Sequence, residues 1–345
     1  MKKKSLLLIM AAVVLTAAII VGAMACTTVP DGEYVIVAPD GAPALAIAGL
    51  AEEVFTYSDT VSVGAQVVNS SEIAKRAATA DMAIVPANVA ANLYNKGTDI
   101  KVIATVTHGN LYMVGLADTP KVTDLTQLEG QIVASIGQNS VPDSLFKAML
   151  TKAGVEYVVA GDPANVTAAE GKVTLVYGSD GSAVIPLVVT GKAAYGIIGE
   201  PAVSTGAKNK GLTEKASLQE LWNEANNTTG GYSQAVLIMK SSLAEDTAFV
   251  NALLERLAAD VEEMTSGDEG AAAAAAAIKD VYEATSLPAS ITADIIKRSS
   301  VNIVSAATES GLDEIYSMLT TVAGVNANPI GGSVPAKGSS FYFAQ

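Results

Sequence analysis

The chain has 345 residues, half of them hydrophobic, with a net charge of -14 and a mean hydropathy of +0.36. Its 35 acidic against 21 basic residues argue against nucleic acid and anionic lipid head groups, both of which need basic patches. One histidine, His108, and one cysteine, Cys26, are too few to furnish the usual Ser-His-Asp triad or His/Cys zinc site with any choice of residues, so no catalytic residue, metal or cofactor is expected.

Lys2, Lys3 and Lys4 lead into an apolar run from Leu6 to Ala25, which ends at Cys26. A basic start, a hydrophobic stretch and small residues before the cut mark residues 1–25 as an export signal. Ala23 and Ala25 form an A-x-A site for ordinary secretory cleavage, whereas Cys26 behind a small residue suits lipoprotein processing, with its thiol as the lipidation site. Ala23 stands where a bacterial lipobox usually has Leu. An uncleaved anchor is a third reading, because about 20 apolar residues span a bilayer. Each reading places the folded part outside the cytoplasm, and the lipoprotein reading anchors it to the bacterial cell membrane through Cys26. Loss of residues 1–25 leaves 320 residues with a net charge of -17, more than one small core organises, so two lobes are expected. No cysteine follows Cys26, so packing rather than an internal disulfide must stabilise the fold.

Residues 34–38 are an apolar, β-branched run that reads as a buried parallel strand. It ends in Pro39-Asp-Gly-Ala-Pro43, and residues 44–54 have helical composition. The alternation continues with a strand at 61–68, a helix at 71–78 capped by Ser71, a strand at 82–85, a helix at 88–94 and a strand at 102–107. Such alternation predicts right-handed βαβ units and a sheet covered on both faces. A second α/β set comprises strands at 132–135, near Tyr157, at 173–177 and at 194–198, with helices at 142–152 and 182–189. After a polar stretch at 227–231 and a strand at 235–239 the chain reads as helical, including the alanine run 271–277. With one strand, the final third cannot build a sheet of its own. It is predicted to complete the first lobe, giving lobe 1 as residues 26–115 plus 231–345 and lobe 2 as 116–230. Crossings near Gly115 and Gly231 would act as a hinge.

Four segments stand out together: Ala38-Pro-Asp-Gly-Ala-Pro-Ala44, Asp81-Met-Ala-Ile-Val-Pro-Ala-Asn88, Gly137-Gln-Asn-Ser-Val-Pro-Asp143 and Gly191-Lys-Ala-Ala-Tyr-Gly-Ile-Ile-Gly-Glu-Pro201. In order and spacing, and with the lipoprotein signal, they resemble the type 2 periplasmic-binding fold. The resemblance is to substrate-binding proteins of ABC transporters in the nitrate, sulfonate, taurine and thiamine-precursor branch. It implies an α/β fold of two lobes with two hinge crossings and a C-terminal helical segment on lobe 1. It also implies a monomer that captures a small solute in the cleft and delivers it to an ABC permease.

The residues point to the same cleft, because ligands of open α/β sheets bind beyond the carboxyl ends of strands. Three such loops, 40–43, 86–88 and 137–140, are rich in Gly, Pro or Asn. Backbone N–H groups at the helix starts that follow can hold an anion or a carbonyl without a basic side chain. The candidate ligand contacts are Gly41, Ala42, Pro43, Asn88, Gly137, Asn139 and Ser140. Singly, each loop reads first as an ordinary turn, with Gly41 supplying a positive φ, Asn88 a cap and Pro142 a first-turn proline. Their convergence favours a site.

His108 is either a further ligand contact or a core or hinge histidine satisfied by backbone. Glu200, at a strand end before Pro201, either accepts hydrogen bonds from an amine or amino-pyrimidine or caps the next helix. Tyr232 stacks on a ligand or packs the hinge, and Trp222, at helical spacing with Leu218 and Leu221, belongs to a lobe core. The pairs Glu52-Glu53 and Glu262-Glu263 are solvated helix faces rather than a glycosidase acid pair. Rival functions are an enzyme of the thiamine-pyrimidine-synthase type, which needs a role for His108, and a sensory module. Few Arg or Lys lie near the loops, and Glu200 tilts the expectation to a neutral or amine-bearing heterocycle.

Overall fold

A computed structural model describes residues 29–162 and 165–344; the predicted signal and Cys26 lie outside the described residues. The first sheet takes β1 (Gly32–Pro39), β2 (Phe55–Ser58), β3 (Val61–Val68), β4 (Met82–Pro86) and β5 (Ile100–His108). The second takes β6 (Leu111–Gly115), β7 (Ile132–Ile136), β8 (Tyr157–Val159), β9 (Val173–Gly178), β10 (Tyr195–Gly199) and β11 (Thr213–Ser217). The chain then returns to the first sheet with β12 (Ser233–Lys240) and β13 (Val301–Ser305). Strand order is β13-β5-β12-β4-β1-β3-β2 in the first sheet and β11-β6-β10-β7-β9-β8 in the second. This is the expected two-lobe α/β fold.

Direction along the strands positions the site. β1 runs parallel to β3, from Gly32 opposite Val61 to Pro39 opposite Val68, and parallel to β4. β12 is antiparallel to both β4 and β5, so β5 runs with β1, β3 and β4 and all four end at one edge. In the second sheet β7, β9 and β10 are parallel. β6 runs against β10, with Leu111 opposite Gly199, so β6 begins where β10 ends. Only Gly109 and Asn110 separate β5 from β6. The carboxyl edges of the two sheets therefore face each other.

Apolar strands buried on both faces need cover on both. Helices Thr247–Ser266 and Asp268–Val281 cover one face of the first sheet, burying Phe249, Leu253, Leu257 and Ile278 against Ile36, Val63 and Ile84. The opposite face packs against helices Ala87–Asn95 and Glu309–Val325, and its core continues without a break into lobe 2. Val37, Val85 and Ile315 belong to one apolar cluster with Val133, Leu145, Phe146 and Trp222. A separate cluster built on helix Gly181–Val189 covers the far face of the second sheet. The C-terminal tail ends on lobe 1, with Tyr342 bridged to Val102 of β5.

Several local expectations change. The helix expected at 71–78 is Ile73–Ala77, and Ser71 does not cap it: its N–H and hydroxyl both donate to Asn69 Oδ1, at 2.9 and 2.7 Å. The final third holds two strands rather than one, since β13 pairs with β5. The segment 111–115 is a strand of the second sheet, so the chain leaves the first sheet at 109–110, ahead of Gly115. The return passes through Gly231, between helix Leu218–Asn226 and β12. Gly109 is required at the first crossing, because a Cβ there would lie 2.4 Å from the ring of buried Tyr232.

Candidate functional site

On the lobe 1 edge, β1 is followed by Asp40 and by Gly41, whose φ of 102° opens the short helix Ala42–Leu45 with Pro43 in its first turn. Asp40 fixes this loop by accepting from Thr285 Oγ1 at 2.6 Å and Ser286 N–H at 2.8 Å. Asn88 stands inside the first turn of helix Ala87–Asn95, where Pro86 holds the cap position, so it is not a cap. It is buried, and its Oδ1 has no partner. His108 closes β5.

On the lobe 2 edge, β7 ends in a loop with Gly137 and Asn139 both left-handed, at φ 65° and 61°. The loop bonds to itself: the Ser140 hydroxyl donates to Gly137 O, and Ser140 N–H donates to the same oxygen at 3.0 Å. Asn139 N–H donates to Asp143 Oδ2 at 2.8 Å, leaving its side chain exposed. Buried Asp143 also accepts from Lys147 Nζ at 2.9 Å and Tyr177 OH at 2.6 Å. Burial, then the bond to Asp143, pushes the Tyr177 phenol well above its ordinary pKa. Asp143, Lys147 and Tyr177 were missed by sequence reasoning; the Asp143/Lys147 spacing of one helical turn was the available signal. Next to this loop, Asp180 caps helix Gly181–Val189 by accepting from Ala183 N–H at 3.1 Å.

Glu200 has its side chain wholly buried and every oxygen engaged. Oε1 accepts from Ser204 Oγ at 2.7 Å and from Arg298 Nε at 2.7 Å, and Oε2 accepts from Ser204 N–H at 3.0 Å. Arg298, contributed by lobe 1, also donates to Glu214 Oε2 at 2.8 Å and lies 4.2 Å from the Tyr112 ring centroid. The Tyr112 hydroxyl donates to Arg298 O at 3.1 Å. Glu200 thus meets a protein cation and a following N–H, where the sequence suggested a ligand amine or a cap. Burial alone lowers the Arg298 pKa, but the bonds to Glu200 and Glu214 outweigh it and hold the guanidinium charged.

His108 is buried with Nε2 3.1 Å from Glu314 Oε1 on helix Glu309–Val325, so a carboxylate meets it where backbone was expected. Its Nδ1 has no partner. Tyr232 packs the second crossing, edge-on to Trp222 at 5.9 Å, and both are buried. Gly41, Ala42, Pro43, Asn88 and His108 are thus gathered on one edge, and Gly137, Asn139, Ser140 and Glu200 on the edge facing it. Among the described residues no group of three His, Cys, Asp or Glu is placed to hold a metal ion, and no helix is long and apolar enough to cross a membrane.

No protein-family model and no curated protein matches the chain. Solved structures do. An ABC transporter from Parabacteroides distasonis is 20% identical with a TM-score of 0.69, over 90% of this chain and 99% of that one. The periplasmic aliphatic sulphonate binding protein SsuA from Escherichia coli is 12% identical with a TM-score of 0.60, over 88% of this chain and 90% of that one. The alkanesulfonate-binding protein SsuA from Xanthomonas axonopodis pv. citri, bound to MOPS, is 12% identical with a TM-score of 0.55, over 90% and 96%. At such identities the likeness is one of fold: the chain has the two-lobe architecture of ABC-transporter solute-binding proteins.

Proposed function

We infer that the protein is the extracytoplasmic solute-binding component of an ABC importer, tethered to the membrane by lipid on Cys26 and acting as a monomer. The observation that carries this reading is the facing of two carboxyl edges across a two-residue crossing, each edge bearing glycine- or asparagine-rich loops. Lobe 1 is taken as the residues up to Gly109 with those from Tyr232 onward, and lobe 2 as Asn110 to Gly231. A solute bonded by both lobes favours the closed form by its differential affinity for the two states. The solute then passes to a membrane permease driven by a cytoplasmic ATPase.

The neighbours named as transport proteins support this over an enzyme. Mass spectrometry of small molecules released on denaturing natively purified protein tests the reading. One solute in stoichiometric amount, rebound unchanged in calorimetry, is expected. Its chemical conversion on rebinding would favour the enzyme. Unimpaired uptake of that solute in cells lacking the protein would favour a sensory module.

A further inference from the structure

Where the chain leaves lobe 1 for lobe 2, buried polar atoms without partners concentrate. Thr107 Oγ1, His108 Nδ1 and Asn110 Oδ1 fall within four consecutive residues, and Asn88 Oδ1 is a fourth. Asn88 is 6% exposed and Asn110 3%. A buried acceptor left without a donor is destabilising, and native folds carry few. The four share one edge. Pro86, two residues before Asn88, lies opposite Ala235 of β12, which lies opposite Thr107 of β5. Neighbouring strands are about 4.8 Å apart, so the two ends of this set are separated by roughly 10 Å, the span of a small molecule. Asn110 also reaches the facing edge: its Oδ1 would lie 3.3 Å from a Cβ on Gly199, and its carbonyl accepts from Glu200 N–H.

Charge at the two edges points the same way. Arg298 and Lys147, the basic side chains bonded to residues of these edges, are neutralised by Glu200 with Glu214 and by Asp143 respectively. An anion such as a sulfonate offers acceptors only. It could accept from the Asn88 and Asn110 amide N–H groups but would leave both side-chain carbonyls unsatisfied. A solute bearing N–H groups would pair them.

Resting on the solute-binding reading above, we propose that the solute is a neutral or cationic molecule that donates N–H hydrogen bonds to the side-chain carbonyls of Asn88 and Asn110. The test is a thermal-shift and calorimetric panel on the full chain with two arms: cytosine, adenine, guanidinium and spermidine as donors, methanesulfonate, nitrate and MOPS as anions. The variants are Asn88→Asp, Asn88→Leu and Asn110→Asp. Asp keeps an acceptor and adds charge, whereas Leu removes the acceptor.

The expected result is binding in the donor arm only, weakened more than tenfold by Asn88→Leu and less than threefold by either Asp variant. Should Asn88→Leu not fold, as judged by circular dichroism, Asn88→Ala, which also removes the acceptor, is read in its place with the same expected loss. Binding in the anion arm that the Asp variants abolish overturns the donor assignment and leaves solute binding standing. So does donor-arm binding indifferent to Asn88→Leu or lost in both Asp variants. Binding in neither arm overturns the donor assignment and leaves solute binding to the release experiment above.

Discussion

Arg298 Nε lies 2.7 Å from Glu200 Oε1, joining the helix Ala293–Arg298 of one lobe to the end of β10 in the other. Removing one partner of a buried pair costs about 3–5 kcal/mol because the other charge is left uncompensated. Arg298 is 36% exposed and Ser204 still serves Glu200, so Arg298→Leu is expected at the low end, about 3 kcal/mol. Arg298→Lys should not rescue it, since an ammonium lacks the fork that spans Glu200 and Glu214. Unfolding midpoints measure the cost, and small-angle scattering should show a larger radius of gyration from lobes held less closely. An unchanged radius would mean that the pair does not hold the lobes together.

Gly109→Ala should destabilise by about 1–3 kcal/mol, the range for overpacking a filled site, because the new methyl overlaps Tyr232 Cε1. Adding Tyr232→Leu should return part of the loss. If the double variant is no better than the single, the clash is elsewhere.

The left-handed turn at Asn139 depends on Asp143. Tyr177→Phe should cost about 1.5–3 kcal/mol, the range for a hydrogen bond to a charged group. Asp143→Ala should speed hydrogen exchange at the Asn139 amide by more than tenfold, while Asn139→Gly leaves stability unchanged or raised, since glycine adopts this φ without strain. Slow exchange in Asp143→Ala would show that the loop holds itself.

Asp180 is held below the usual carboxylate range, by the Ser182 hydroxyl first, against the opposing effect of its partial burial, with the Ala183 N–H adding to the depression. A depressed carboxylate contributes stability that is complete above its unfolded value, about pH 4, and is lost as pH falls through the folded one. Hydrogen exchange in helix Gly181–Val189 should therefore show Asp180→Ala weaker by about 1 kcal/mol at pH 7. The gap should close well below about pH 4, through the folded value. Asp180→Asn should keep most of the cap at pH 7 and lack the acid loss.

Cys26→Ser should move the protein from the membrane fraction to the soluble fraction and leave solute affinity unchanged. Retention on membranes would favour the uncleaved anchor. Release of the unchanged parent as well would favour ordinary secretory cleavage.

The buried strands were legible because two-sided burial demands an apolar run: β3 coincides with the expected 61–68, and β4, β7 and β9 each extend one residue beyond. β11, Thr213-Glu-Lys-Ala-Ser217, offers no such run and is an edge strand made by its neighbour β6. The helix expected at 44–54 divides into Ala42–Leu45 and Ala48–Glu52 because Ile47 leaves helical geometry, with φ -119° and ψ 15°. Glycine and asparagine after strands marked the turns at Gly41, Gly137 and Asn139, since those residue types answer to the positive φ found there, whereas Asn88 lies within a helix and serves no such need. Arg298 could not be read that way. Its partner Glu200 is 98 positions distant and meets it only because the chain crosses between sheets twice.

The apolar cluster beneath helix Glu309–Val325 passes from Val85 and Ile315 to Leu145, Phe146 and Met149 of the other lobe. Parting the lobes on this face would expose hydrocarbon at about 25 cal/mol per Å², so each 200 Å² uncovered costs about 5 kcal/mol. Helices Ala293–Arg298 and Gly181–Val189 belong to the opposite faces of the two sheets, where the cores are separate. The molecule is built like a bound book, with a spine under Glu309–Val325 and its opposite margin clasped by Arg298. Any parting of the two sheets is thereby confined to the Arg298 side, where it breaks polar contacts rather than baring hydrocarbon.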